Sequence, residues 1–213
     1  MRTDELIAML ATDVEPDDPD VVARRYATAL GWGAFGATLV MAVVLGVRPD
    51  LDAAARLQMF WVKLAFPAAI AIGGVLVVAR LSRPGMPLGL TPGAIALPAA
   101  AIWLLAAGAL IETSPTQRMA LIVGSSLQYC LATIPLLSLP VLAAVTWAMK
   151  GLAPTRLALA GAAAGLLAGA IGALAYSLHC TEMQAPFIAI WYSAGMLIPA
   201  AAGALLGPLV LRW

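Results

Sequence analysis

Charge is scarce in this chain. Only 11% of its 213 residues are charged, 62% are hydrophobic, and the mean hydropathy is +0.95. A soluble domain carries about 25% charged residues to keep its surface wet. The shortfall argues against a soluble enzyme, a nucleic-acid binder and a disordered regulator. A net charge of +1 leaves no whole-molecule field to steer partners, so any charge argument is local. The usual parts of an active site are missing too. His179 is the single histidine, and there is no Gly-rich phosphate loop, no Ser-His-Asp candidate set and no HExxH. The two cysteines, Cys130 and Cys180, have no CxxC spacing, which leaves thioredoxin-type chemistry unsupported. No ionisable residue falls clearly in the centre of an apolar run, where one would mark an ion or proton path. Coupled transport is therefore disfavoured. Lys63 lies near the end of its run and is expected to snorkel outward.

What remains is apolar sequence in lengths that fit a bilayer, which needs about 20 such residues per helix. Six runs qualify, at about Ala27 to Val47, Trp61 to Ala79, Gly93 to Ile111, a fourth ending near Trp147, Leu157 to Leu178 and Phe187 to Leu211. The expected fold is an all-α membrane protein, a six-transmembrane-helix bundle. The stretch from Met119 to Met149 is too long for one straight crossing. Counting back from Trp147 starts the fourth span near Gln128 and leaves residues 119–126 as a loop or turn; a long tilted helix from Met119 is the alternative. Gly161, Gly165 and Gly169, then Gly203 and Gly207, recur every four residues and predict close backbone packing, or a dimer seam. Pro67, Pro98, Pro135, Pro140 and Pro199 fall within spans. The opening residues hold no cleavable-signal pattern, so the first span is expected to stay as an anchor.

Basic residues set the expected orientation. Arg2, Arg24, Arg25, Arg80, Arg83, Lys150, Arg156 and Arg212 fall on one side, and Arg48, Arg56, Lys63 and Arg118 on the other. This bias places both termini of a multi-pass membrane protein in the cytoplasm. Cys130 and Cys180 then share the outer end, on adjacent antiparallel helices, in a compartment that permits disulfides. Three readings stand: a sensing or redox-active pair, a structural disulfide, and unrelated buried thiols. His179 beside Cys180 adds a soft-metal reading, with two sulfurs and one imidazole nitrogen as ligands and Glu182 as a possible fourth or as a tuner of His179. An interfacial hydrogen-bonding role suits His179 equally.

Residues 1–25 form the one sizeable polar segment. Thr3 can cap a helix whose first turn holds Asp4 and Glu5, and Leu6, Ile7, Leu10 and Val14 then make an apolar stripe. Three turns are too few for a helix stable alone in water. Residues 1–23 carry seven acids, Asp13 among them, against Arg2, a side-chain charge of −6. This segment is either a solvated tail or a cytoplasmic amphipathic helix that folds into a partner's groove. Its charge selects a basic partner, such as a protein that otherwise binds nucleic acid, and repels anionic lipid.

These features together resemble the NrsF-type membrane anti-sigma factors, negative regulators of extracytoplasmic-function sigma factors. The resemblance rests on the opening from Thr3 through Asp13, on Cys130 with Ile134-Pro135, and on Leu178-His179-Cys180 with Glu182, Phe187, Trp191-Tyr192, Gly195-Met196 and the close at Leu211-Arg212-Trp213. Thr181 departs from the family pattern, where a proline is expected. The resemblance implies that a cytoplasmic segment, residues 1–25, holds the sigma factor through Asp4, Glu5, Leu6, Ile7, Leu10 and Asp13. It implies that residues 26–213 form a six-helix sensor domain whose outer Cys130 and Cys180 detect stress. Trp191 and Tyr192 are expected to pack beneath the cysteines as an aromatic platform, or to sit in the interfacial belt. No cofactor is required, a soft metal ion at the thiols is an option, and membrane lipid is the other partner. A membrane thiol oxidoreductase and a small-solute permease are the rival functions.

Overall fold

The computed structural model describes residues 3–5, 9, 21–124, 127–152 and 154–212. Among the described residues there is no strand. The helices are α1 (Val21–Leu45), α2 (Leu51–Ala54), α3 (Gln58–Leu81), α4 (Gly93–Glu112), α5 (Pro115–Val123), α6 (Leu127–Lys150), α7 (Leu157–Ser177) and α8 (Ala185–Val210). Six of them, all but α2 and α5, are long and apolar enough to cross a membrane. A helix is what such runs must form where water is absent, because it satisfies every backbone N–H and C=O within the segment.

The elements end where the sequence supplies punctuation. Pro115 opens α5 at a position where its missing N–H is no loss. Gly124 closes it with φ +57°, and α6 begins at Leu127. The fourth span therefore starts near Gln128, with a separate short helix before it. Gly46 ends α1 with φ +77° and returns its N–H to the Met41 carbonyl. Helix α1 begins at Val21, ahead of the expected Ala27, because a helix does not need apolar residues to extend; Arg24, Arg25 and Tyr26 occupy its first turns. Residues 3–5 and Met9 are helical and exposed.

Helix α7 is the central strut. Ala164, Leu167, Ala168 and Ala173 along it are fully buried, and α8, α6, α3 and α1 all pack on it. Its glycines decide the distance to α8. A Cβ on Gly161 would lie 2.0 Å from the Gly203 carbonyl oxygen, and one on Gly165 would lie 2.0 Å from that of Pro199. The two backbones touch, as the four-residue spacing predicts, and the attraction is van der Waals contact rather than hydrophobic burial. The outside of the bundle is apolar as well: Trp32, Phe35, Val43, Leu97, Leu104 and Leu205 are all more than half exposed. Helix α4 is peripheral, with only Ile102 and Ala106 buried.

The connections gather at two ends. One end holds the start of α1, residues 82–92, residues 151–152 and 154–156, and Arg212. There the Arg25 guanidinium stacks 4.9 Å from the Trp147 ring, and the Tyr26 hydroxyl bonds to Ser82 Oγ. The other end holds residues 46–57, 113–124 and 178–184. Among the described residues, Arg24, Arg25, Arg80, Arg83, Lys150, Arg156 and Arg212 lie toward the first end, and Arg48, Arg56, Lys63 and Arg118 toward the second.

Candidate functional site

Both cysteines lie at this second end. Cys130 sits on the first turns of α6 and is fully buried; Cys180 follows the last turn of α7 and is 2% exposed. Both are free thiols. Both belong to the same buried core where α6 packs on α7, so the fold brings to one end of the bundle two residues 50 positions apart in sequence.

Lys63 stands over this pair. Its side chain is fully buried six residues into the chain direction after Leu57, and Nζ donates to the carbonyl of Cys180 at 2.6 Å and to that of Glu182 at 2.8 Å. The ammonium also lies 5.7 Å from the centre of the Tyr192 ring. Lys63 thus turns inward rather than snorkelling. The loop carbonyls offer it charge-assisted hydrogen bonds that replace water.

Arg48 supplies a second cation from the loop after α1. Nε and Nη2 grip Asp50 at 2.8 and 2.7 Å, while Nη1 donates to the Cys180 carbonyl at 3.3 Å. The bidentate bond lowers the Asp50 carboxyl below its ordinary range and raises the Arg48 guanidinium. Two further bonds stitch the same loops together: Arg48 N–H to the Leu178 carbonyl at 3.1 Å, and His179 Nδ1 to the Gly46 carbonyl at 2.9 Å. The Cys180 carbonyl therefore accepts from two cations, and the Cys180 loop is clamped by α1 on one side and α3 on the other. A partly open pocket of about 270 Å³, lined by Arg48, Tyr129, His179, Cys180 and Thr181, leads to it.

The aromatic pair divides its work. Tyr192 is fully buried, with its hydroxyl 3.5 Å from Ser177 Oγ and its ring 5.7 Å from the Lys63 ammonium, so it faces this site. Trp191 points elsewhere: its Nε1 donates to the Ile122 carbonyl at 2.6 Å and ties α8 to α5. The expected two-ring platform is therefore one ring. Both residues lie on a π-helical turn, Ile188–Tyr192, a distortion frequent at functional sites.

Among the described residues no three His, Cys, Asp or Glu side chains are placed to hold an ion. His179 Nδ1 is engaged with the Gly46 carbonyl, which fixes the ring and leaves Nε2 as its other nitrogen. Of the docking residues, Asp4 and Glu5 are exposed, and Leu6, Ile7, Leu10 and Asp13 lie outside the described residues. Arg48 and Lys63 were missed at the sequence level. The available signal was a lysine placed inside an apolar span, which is costly and so functional by default.

The model of a family described as "Negative regulator of sigma F", NrsF, matches residues 10–213. The chain belongs to the NrsF family. Two NrsF relatives cover the whole of both chains: a probable anti-sigma-F factor NrsF of Azospira oryzae at 52% identity, and the anti-sigma-F factor NrsF of Caulobacter vibrioides at 41%. No solved structure matches the chain. NrsF proteins carry the description of regulators rather than enzymes, which agrees with the absence of catalytic motifs.

Proposed function

We propose that this chain is a membrane-embedded anti-sigma factor of the bacterial inner membrane. It holds an extracytoplasmic-function sigma factor through residues 1–25 in the cytoplasm and releases it when Cys130 and Cys180 are oxidised from the periplasm. The apolar outer face of the bundle supports the membrane setting, since it has no counterpart in water. The family description favours this reading over the oxidoreductase and permease alternatives. The observation that carries the sensing half is the pair of free thiols set among Lys63, Arg48 and Tyr192. Reactive cysteines pair an electropositive setting with access to solvent; Lys63 and Arg48 supply the charge beside the Cys180 loop, and because both thiols are buried an oxidant has to reach them through the pocket beside Cys180.

The proposed step converts two thiols to one disulfide. Two electrons pass to a periplasmic oxidant and two protons leave. The new bond joins α6 to the Cys180 loop, which Lys63 and Arg48 connect to α3 and α1, so a change at the sulfurs reaches the helix that continues from the docking segment. The step itself needs no metal ion. Reversing a two-state equilibrium from 1:99 to 99:1 takes about 5.5 kcal/mol. Only the part of the disulfide's free energy that differs between the two arrangements of the bundle shifts this equilibrium.

The test is target-gene output with and without a periplasmic oxidant in cells carrying Cys130→Ser or Cys180→Ser. Each variant should repress normally and fail to induce. Induction as in the wild type would remove the thiols from the mechanism.

A further inference from the structure

At the end of the bundle opposite the thiols, three arginines converge on one concavity. It has a volume of about 230 Å³ and is lined by Arg80, Arg83, Gly85, Met86, Thr155 and Arg156. Arg80 is set in place by its own loop: Nη1 donates to the carbonyls of Pro87 at 3.2 Å and Leu88 at 3.0 Å. Arg83 and Arg156 are exposed at the rim. Among the described residues no carboxylate pairs with any of the three.

A second feature adds to this charge. Helix α7 begins at Leu157, beside Thr155 and Arg156, and has no side-chain cap. Its unsatisfied N–H groups and the positive end of its dipole face the same region. Guanidinium forks, a hydroxyl and a helix N-terminus are the donor set that suits a phosphate group. The pocket also lies where α3 ends and α7 starts, at the level at which two apolar spans meet polar loops. Mobile inorganic phosphate has no reason to concentrate there, whereas the headgroups of a bilayer stand at that depth.

We propose that this pocket binds the phosphate group of an anionic phospholipid and so fixes the α3–α4 and α6–α7 loops against the membrane surface. The proposal rests on the membrane setting given above. Arg83 and Arg156 would grip the phosphate, with Thr155 donating from the side. Arg80 acts as a positioning residue that shapes the loop.

The experiment uses the full chain in neutral detergent micelles, doped with phosphatidylglycerol, phosphatidylcholine or inorganic phosphate, and follows the thermal midpoint. Phosphatidylglycerol should raise the midpoint, and the other two should not. Arg83→Gln and Arg156→Gln should each weaken the phosphatidylglycerol effect, with affinity falling about tenfold. Arg56→Gln removes the same charge at the opposite end and should leave the effect intact. An equal shift with phosphatidylcholine, an equal shift with inorganic phosphate, or an unchanged response in both arginine variants would overturn the proposal. Failure of the membrane setting would show separately, as wild-type chain that stays in solution when cell membranes are sedimented.

Discussion

Replacing Lys63 with Met keeps the length of the side chain and removes the ammonium that holds the Cys180 and Glu182 carbonyls. Hydrogen bonds to a charged group are worth about 1.5–3 kcal/mol. The expected loss is about 2 kcal/mol, read as a lower thermal midpoint in detergent, and the Cys180 loop should become more open to alkylating reagents. The Arg48–Asp50 pair gives a pH-dependent counterpart. Its carboxyl is lowered below its usual value of 3.8 by the Arg48 hydrogen bonds. A carboxyl depressed in the folded state stabilises above its unfolded value, and that contribution disappears as pH falls through the folded value. The midpoint of the wild type should therefore exceed that of Asp50→Asn at neutral pH, and the gap should close as pH is lowered from about 5 toward 3. A gap that stays constant would show that the pair does not hold the loop. Neither cation's partner could be read from the chain. The carbonyls that accept from Lys63 lie 117 and 119 positions away, and the direction of a long side chain follows from such neighbours. The two cysteines were legible, because alternate crossings alone bring both to one end.

At the scale of elements, the α7–α8 contact depends on hydrogen atoms in place of methyl groups. Gly165→Ala should destabilise the bundle by about 1–3 kcal/mol through overpacking, since the Pro199 carbonyl oxygen is 2.0 Å from the new carbon. Gly31→Ala is the contrast: nothing lies within 4 Å, and the change should be neutral or stabilise α1 by up to about 1 kcal/mol. Equal effects of the two, measured by thermal unfolding in detergent, would mean that the α7–α8 backbones do not touch. This seam was legible because small residues at four-residue spacing have few other uses in an apolar span. The break between α5 and α6 was only half legible. Gly124, Ser125 and Ser126 marked a weak point, but closure of α5 needs the left-handed turn at Gly124, whose missing Cβ leaves room for Phe187 at 2.7 Å. The π-helical turns at Met41–Leu45 and Ile188–Tyr192 left no trace in the periodicity. One inserted residue shifts an apolar pattern too little to register in a run that is hydrophobic on every face.

Across the whole molecule, two chemistries stand at opposite ends of an apolar bundle. Free thiols, Lys63 and Arg48 occupy one end; the arginine pocket and the start of α1, which continues from the acidic segment, occupy the other. This separation was visible early because it follows from counting crossings and placing the basic residues, both coarse properties. Signalling between the ends has a physical route, since α3 carries Lys63 near its thiol end and Arg80 near its other end. The most direct measurement is the amount of sigma factor retained on membranes isolated from cells before and after a periplasmic oxidant, for the wild type and for Cys180→Ser. The account predicts retention before treatment in both, substantial release from the wild type afterwards, and continued retention by the variant. Equal release from both, or a sigma factor never found with the membranes, would contradict it.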